Sequence, residues 1–355
     1  MTPYLIFLAC VILFYYCSFV FRYRNGFSVF TVLTYIILVL FAGLRNGSVG
    51  TDTNSYIASF QRIGRVDFAA FDIASDFGYA VLERIALTFS GEYYSLLIAT
   101  AMVFVFCSLK AIQDLSINPV ISLFVFITLG YYTFSFNGAR QGIAMAIYML
   151  SFRYLLSSKF IYYCFWVLIA GFFHKTIIVA IPLYFLFNSR FSFFTFFLMV
   201  VSSILIFYYF QVLVGFGASI NPRYLVYLNR SESKGEMLTL FYAIMTLYFV
   251  FFRQFIPLKE RKFYDRFLNM SITGTIIYLI VIFTNSYIEL TRFAAYFQIS
   301  SIFLWPFVLK NTEESIKPVL MIGLVVVCIA FFIVFIGRMA GLTPYVFNQT
   351  IFGLM

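Results

Sequence analysis

FIYYCFWVLIAGFFHKTIIVAIPLYFLFN (160–188) is apolar on both sides of an interruption at His174-Lys175. Its 29 residues are long for one transmembrane helix and short for two, since one crossing takes about 20 residues. Charges elsewhere decide between the readings. If the stretch crosses once, RQFIPLKERKFYDR (253–266) falls on the outer side. That is the most basic short loop of the chain, and inner loops are the ones that collect Lys and Arg. If the stretch is two short helices meeting at Phe173-His174-Lys175, and the N-terminus lies outside, the inner loops sum to +8 and the outer segments to +2. The sequence therefore predicts two short helices joined at His174. Helices that stop short of a full crossing usually line a cavity.

Working outward, further apolar runs lie at 3–21, 28–44, 93–110, 119–137, 141–156, 191–213, 237–255, 267–285, 293–309 and 318–337. Together they predict an all-α, polytopic transmembrane helical bundle of about 12 spans, with both chain ends outside. The domain reading is a single integral membrane domain over 1–355, with outer loops at 45–92 and 214–236 and an outer tail at 338–355. Composition agrees: 63% of residues are hydrophobic and 11% charged, against about 45–50% and 25% in a soluble domain. A soluble core of this size cannot hide so much apolar surface. No basic n-region precedes the first run, which is expected to be a retained span. No internal repeat stands out.

Several function classes drop away. The net charge of +10 comes without a basic, aromatic-interleaved soluble segment, so no nucleic-acid partner is expected. The five cysteines fall in apolar runs without a CxxC pair and read as small buried hydrophobes. One histidine makes no zinc site, and no paired acidic motif calls for Mg²⁺, so neither metal nor cofactor is expected. Six of eight lysines are inner, whereas nine of sixteen arginines are outer. The guanidinium fork suits phosphate better than the lysine point charge, so the outer face is expected to meet a phosphorylated ligand, unless these arginines pair with the outer acids.

Candidate residues follow from that face. In GLRNGSVGTDTNSY (43–56), Arg45 ends a span and Asp52 is either a general base for a hydroxyl or the cap of a helix starting at Thr53. Asp67, Asp72 and Asp76 read as a solvated acidic face. Glu83, in the amphipathic GYAVLE (78–83), can orient an arginine or hold a sugar. Asn137-Gly138 is a tight turn, after which Arg140 and Gln141 open the returning helix. A cation there opposes the helix dipole and suits an anion site instead; a snorkelling interface arginine is the other reading. His174, ionisable at a helix junction, is a site candidate. Arg223, Tyr224 and Arg292 complete the outer set. These residues are expected to converge on one polar cavity.

GLR (43–45), VGTDTNSY (49–56), GYAVLE (78–83), ARQGIAMAI (139–147), FFHKTIIVAIPLY (172–184), TRFAAYF (291–297) and TPY (343–345) resemble, in order and spacing, the EpsG-type membrane proteins of bacterial polysaccharide assembly. These include many Wzy-like O-antigen polymerases. Lys175 departs from that pattern, where a small residue would be expected. The resemblance implies a multi-pass inner-membrane glycosyltransferase that works at the periplasmic face. Its partners would be undecaprenyl-pyrophosphate-linked oligosaccharides as donor and acceptor, the bilayer, and a chain-length regulator. The leaving pyrophosphate would need fixed cations, for which Arg45, Arg140, Arg223 and Arg292 are candidates. Asp52 or His174 would take the acceptor proton, and Tyr56, Glu83, Gln141 and Tyr224 would contact substrate. A flippase for lipid-linked oligosaccharide and an O-antigen ligase are the alternatives. The lack of a repeat and the one-sided polar residues weigh against the flippase.

Overall fold

The computed structural model describes residues 1–21, 28–63, 76–220, 235–284 and 289–348. Among them the regular structure is helical throughout. The one strand-like feature is an isolated antiparallel bridge, Arg45 to Phe347.

Among the described residues seven segments are long and apolar enough to cross a membrane: Thr2–Val20, Tyr93–Leu115, Phe193–Phe210, Glu236–Phe255, Leu258–Phe283, Leu290–Lys310 and Lys317–Met339. Pro119–Thr128 with Tyr131–Asn137, bent by 40°, makes an eighth if it counts as one broken span. By length and composition the described residues do not reach the expected count of about 12. The remaining apolar runs do form helices, but Val29–Gly43, Phe160–Phe173 and Lys175–Phe187 have fewer than 18 residues. Ala139–Leu156 is diluted by Arg140, Gln141 and Arg153. The break in 160–188 falls where the charges placed it. Phe160–Phe173 ends at His174, and a 3₁₀ turn over Lys175–Val179 leads into Ala180–Phe187.

By packing the chain falls into two compact units. The first comprises Met1–Ser151, Phe165–Lys175 and Val319–Met355. In it α1 (Thr2–Val20) packs on α2 (Val29–Gly43), and α2 on α5 (Tyr93–Leu115). The short helices α3 (Thr53–Ile63) and α4 (Phe77–Phe89) lie against α5. Next come α6 (Pro119–Thr128), α7 (Tyr131–Asn137) and the start of α8 (Ala139–Leu156).

Tyrosine serves this core directly. Tyr4, Tyr132 and Tyr345 are buried, and their hydroxyls donate to the carbonyls of Leu342, Leu38 and Phe41 at 2.8, 2.6 and 2.6 Å. Such bonds satisfy phenol hydroxyls that are enclosed in the core. Tyr345 stacks on Phe41 at 4.2 Å and Tyr4 meets both edge-on. The tail 341–348 is thereby a strap anchored by the buried Leu342, Tyr345 and Asn348. The Asn46 N–H donates to Val346 O and the Asn348 N–H to Leu44 O, both at 2.8 Å.

The second unit comprises Phe152–Cys164 and Thr176–Pro318. Its axis is the 26-residue helix Leu258–Phe283, against which Ala180–Phe187, Phe193–Ile220, Glu236–Phe252 and Glu289–Gln298 pack. Gly274 lets Gln298 approach: a Cβ there would stand 2.9 Å from the Gln298 nitrogen. The Gln298 amide joins the hydroxyls of Thr246, Ser271 and Thr275 in a buried hydrogen-bond network, of the kind that ties helices together in lipid.

Candidate functional site

The polar face of the first unit is assembled around the turn at Asn137-Gly138. Asn137 Oδ1 accepts the Thr51 N–H at 2.8 Å, and its Nδ2 donates to Ala340 O at 2.6 Å. The Thr53 hydroxyl donates to Val49 O at 2.8 Å and Phe136 O at 3.2 Å. Gly50 has φ +103°, and a Cβ on it would lie 2.8 Å from Asn137 Oδ1 and 2.9 Å from Phe136 O. Glycine is required there twice over, by conformation and by space. One asparagine thus pins the loop before α3 and the tail strap to the start of α8.

Arg140 stands in the first turn of α8. Its guanidinium lies over the Tyr79 ring at 5.1 Å, and Nη1 reaches Asp76 Oδ2 at 3.5 Å. His174, at the end of Phe160–Phe173, brings Nδ1 within 3.5 Å of that same oxygen. Asp76 lies immediately before α4, and it reaches His174 because Gly78 lets the start of α4 press on the end of the other helix: a Cβ on Gly78 would be 3.1 Å from the Phe172 carbonyl. All three side chains are partly shielded, Asp76 most of all. Burial works against the Asp76 charge, but His174 and Arg140 outweigh it and hold the carboxyl below its ordinary value. The two contacts are long, and Arg140 Nε and His174 Nδ1 have no aligned hydrogen-bond partner.

Glu83 follows Asp76 by seven residues, two helical turns, and so shares its face of α4. It is 2% exposed, and its Oε1 has no hydrogen-bond partner. Burial pushes its carboxyl up to about 7, against the fields of Arg140 and Arg62 and a bond from Ser59.

The other candidates are distributed as follows. The Tyr56 hydroxyl accepts the Ala139 N–H at 3.1 Å, one residue before Arg140, and Gln141 is buried beside it in sequence. Asp52 takes the cap position of α3: its carbonyl accepts from the Ser55 and Tyr56 N–H groups at 3.0 and 3.2 Å. Its carboxylate accepts from the Thr51 hydroxyl at 3.1 Å. Arg45 is enclosed at 2% exposure, donates to the Ala42 carbonyl and lies over the Phe136 ring at 4.4 Å. Arg292 belongs to the second unit, in the first turn of Glu289–Gln298. Arg223 and Tyr224 lie outside the described residues.

The residue that sequence reasoning missed is Asp76. It was grouped with Asp67 and Asp72 as a solvated face, and those two also lie outside the described residues. The available signal was the pair Asp76/Glu83 at helical spacing, with a glycine at 78 marking close backbone approach. Among the described residues, no three His, Cys, Asp or Glu side chains gather as a metal site. A separate groove of about 610 Å³, lined by Leu5, Leu8, Ile12, Tyr16, Val120 and Phe124, is almost wholly apolar.

Comparison with known proteins gives one match. The model of the EpsG family covers residues 28–347, and this is a family of Wzy-like, polysaccharide polymerase-type membrane proteins. No curated protein and no solved structure matches.

Proposed function

The chain belongs to the EpsG family, and from that premise we propose that it is a polysaccharide polymerase of the O-antigen type. It transfers a growing glycan from undecaprenyl pyrophosphate to a new lipid-linked repeat unit at the periplasmic face of the inner membrane. The observation that carries the proposal is the meeting of Arg140 and His174 on one carboxylate, Asp76.

In this reading the acceptor hydroxyl oxygen attacks the anomeric carbon of the donor glycan and a glycosidic bond forms. The bond between that carbon and the pyrophosphate oxygen breaks, and its electron pair leaves with the pyrophosphate. The hydroxyl proton passes to His174 Nε2. Asp76, on the Nδ1 side, orients the ring and offsets the imidazolium charge, as a carboxylate does for a histidine base. Arg140 offsets the charge that develops on the leaving group. Its place at a helix start supports this role, because the positive dipole end and the guanidinium act on the same anion. Asp52 is retained as a second candidate base, and Tyr56 and Gln141 as substrate contacts flanking Arg140. Arg45, Arg223, Tyr224 and Arg292 stay candidates for holding the substrate.

The same reading places both chain ends and the His174 junction on the periplasmic side, with about 12 crossings if the short helices each traverse. Fourteen residues rise about 21 Å, less than the roughly 30 Å of hydrocarbon, so His174 would sit below the outer boundary. Impermeant-reagent labelling of Lys262→Cys and Gln349→Cys checks the sidedness: 349 should react in intact cells and 262 should not.

A lipopolysaccharide gel from a deletion strain tests the activity. A polymerase deletion leaves core carrying a single repeat unit. Bare core, with polymer stranded on its carrier, would instead mark a ligase, the alternative that uses the same donor. Export of the repeat unit unchanged, with full-length polymer present, would remove the proposal.

A further inference from the structure

Arg140 interacts with two carboxylates of one helix face, Asp76 by contact and Glu83 through its charge. Asp76 reaches it at 3.5 Å, while Glu83, two turns further along α4, stays out of ion-pair contact among the described residues, with Oε1 buried and unpartnered. The Arg140 Nε is likewise buried and unpartnered, and its guanidinium lies over the ring of Tyr79, four residues before Glu83 on the same helix. A planar guanidinium resting on a ring can slide at little cost, because cation–π attraction is weakly directional.

We propose that Glu83 is a positioning residue that sets how much of Arg140 is available to the substrate's pyrophosphate. Protonated Glu83 leaves the guanidinium to Asp76 and the anion. Ionised Glu83 draws it back along the Tyr79 ring and neutralises it. The inference rests on the polymerase reading, since that reading supplies the anion.

The groups facing Glu83 come from each neighbouring element. From α3, Arg62 acts through its charge and Ser59 through a hydrogen bond. From α8, Arg140 acts through its charge. On α4 itself Tyr79 is adjacent, with Thr100 of α5 acting on its hydroxyl; His174 acts one step away, on Asp76. Burial outweighs the two arginines and keeps the Glu83 carboxyl protonated up to about pH 7. By reciprocity, an anion bound at Arg140 must favour protonated Glu83 as much as protonation favours the anion.

The test uses purified full-length protein in nanodiscs, with inorganic pyrophosphate as the probe. The ratio of wild-type to Glu83→Gln Kd cancels the titration of the probe. It should be near unity at about pH 6 and rise about tenfold by about pH 8, an ordinary size for coupling between linked sites. A ratio that stays flat, with binding still abolished by Arg140→Ala, overturns the role of Glu83 and leaves the polymerase reading intact. Pyrophosphate binding that ignores Arg140→Ala overturns both. If Glu83→Gln does not fold, infrared spectra of the wild type decide. A protonated-carboxyl band should fade as pH rises through about 7 and return when pyrophosphate is added. A carboxyl band that does not respond to pyrophosphate overturns the inference.

Discussion

Two charged clusters of this chain use the same residue types and differ in how completely they are satisfied. In the second unit, Asp265 takes Arg253 Nε at 2.6 Å and Nη2 at 2.9 Å on separate oxygens, and accepts the Phe191 N–H at 3.2 Å. In the first unit, Asp76 spreads one oxygen over Arg140 and His174, at 3.5 Å each. The first geometry is the bidentate fork that fixes both partners. The second leaves Arg140 Nε and Glu83 Oε1 without hydrogen-bond partners, and His174 Nδ1 with only the long contact to Asp76. Buried polar groups are normally paired, so a cluster with unpaired ones is a candidate for acting on something outside the chain. The contrast separates an ionic tie that holds helices from a cluster that can act on a ligand.

The contrast can be broken by mutation. The largest effect should come from His174→Ala, which removes the proposed base. Polymer formation should fall by about 10²–10⁴-fold at unchanged protein level, the usual contribution of general base catalysis; full-length polymer on a gel would return His174 to a structural role. Arg140→Lys should also lose most polymer although the charge is kept, because the fork is lost. Normal polymer in that strain would favour a snorkelling arginine. Asp265→Asn should act in the opposite way. Removing one partner of a buried pair should cost about 3 kcal/mol of stability, read as a lower melting temperature, while the protein that remains folded works normally.

A smaller effect is expected from pH. The folded Glu83 holds a proton up to about 7 that the unfolded chain releases near 4.5. Its contribution is therefore fully present below 4.5 and declines as pH rises to about 7. Asp76 has the opposite sign, since its depressed carboxyl adds stability above its ordinary 3.8 and loses it only in stronger acid. The melting temperature should drift down between 4.5 and about 7, and Glu83→Gln should flatten that drift. The smallest effect belongs to Tyr56→Phe, which deletes one acceptor for the Ala139 N–H and should cost about 1 kcal/mol.

What the sequence made legible follows the same division. Charge asymmetry located the break at His174, because the positive-inside tendency is a property of loops and needs no tertiary contact. Arg140 and Gln141 at the start of a returning helix were readable from Asn137-Gly138. The number of full-length crossings was not, since an apolar run sets a helix without setting its length: Val29–Gly43 has 15 residues and Phe160–Phe173 has 14. The strap formed by 341–348 was invisible because its bonds to 44–46 span nearly the whole chain. Asp76 was missed for a related reason. Its partners, 64 and 98 residues away, are brought to it by a glycine contact that periodicity does not encode.

The central claim is that Asp76 and His174 act as one unit. A double-mutant cycle on polymer formation in reconstituted vesicles, with Asp76→Asn, His174→Gln and the pair, measures this most directly. Groups that work as a unit are strongly non-additive, so the account predicts that the double variant is no slower than the worse single one. If the two losses multiply instead, the residues act independently, and the site built around Asp76 is not the catalytic one.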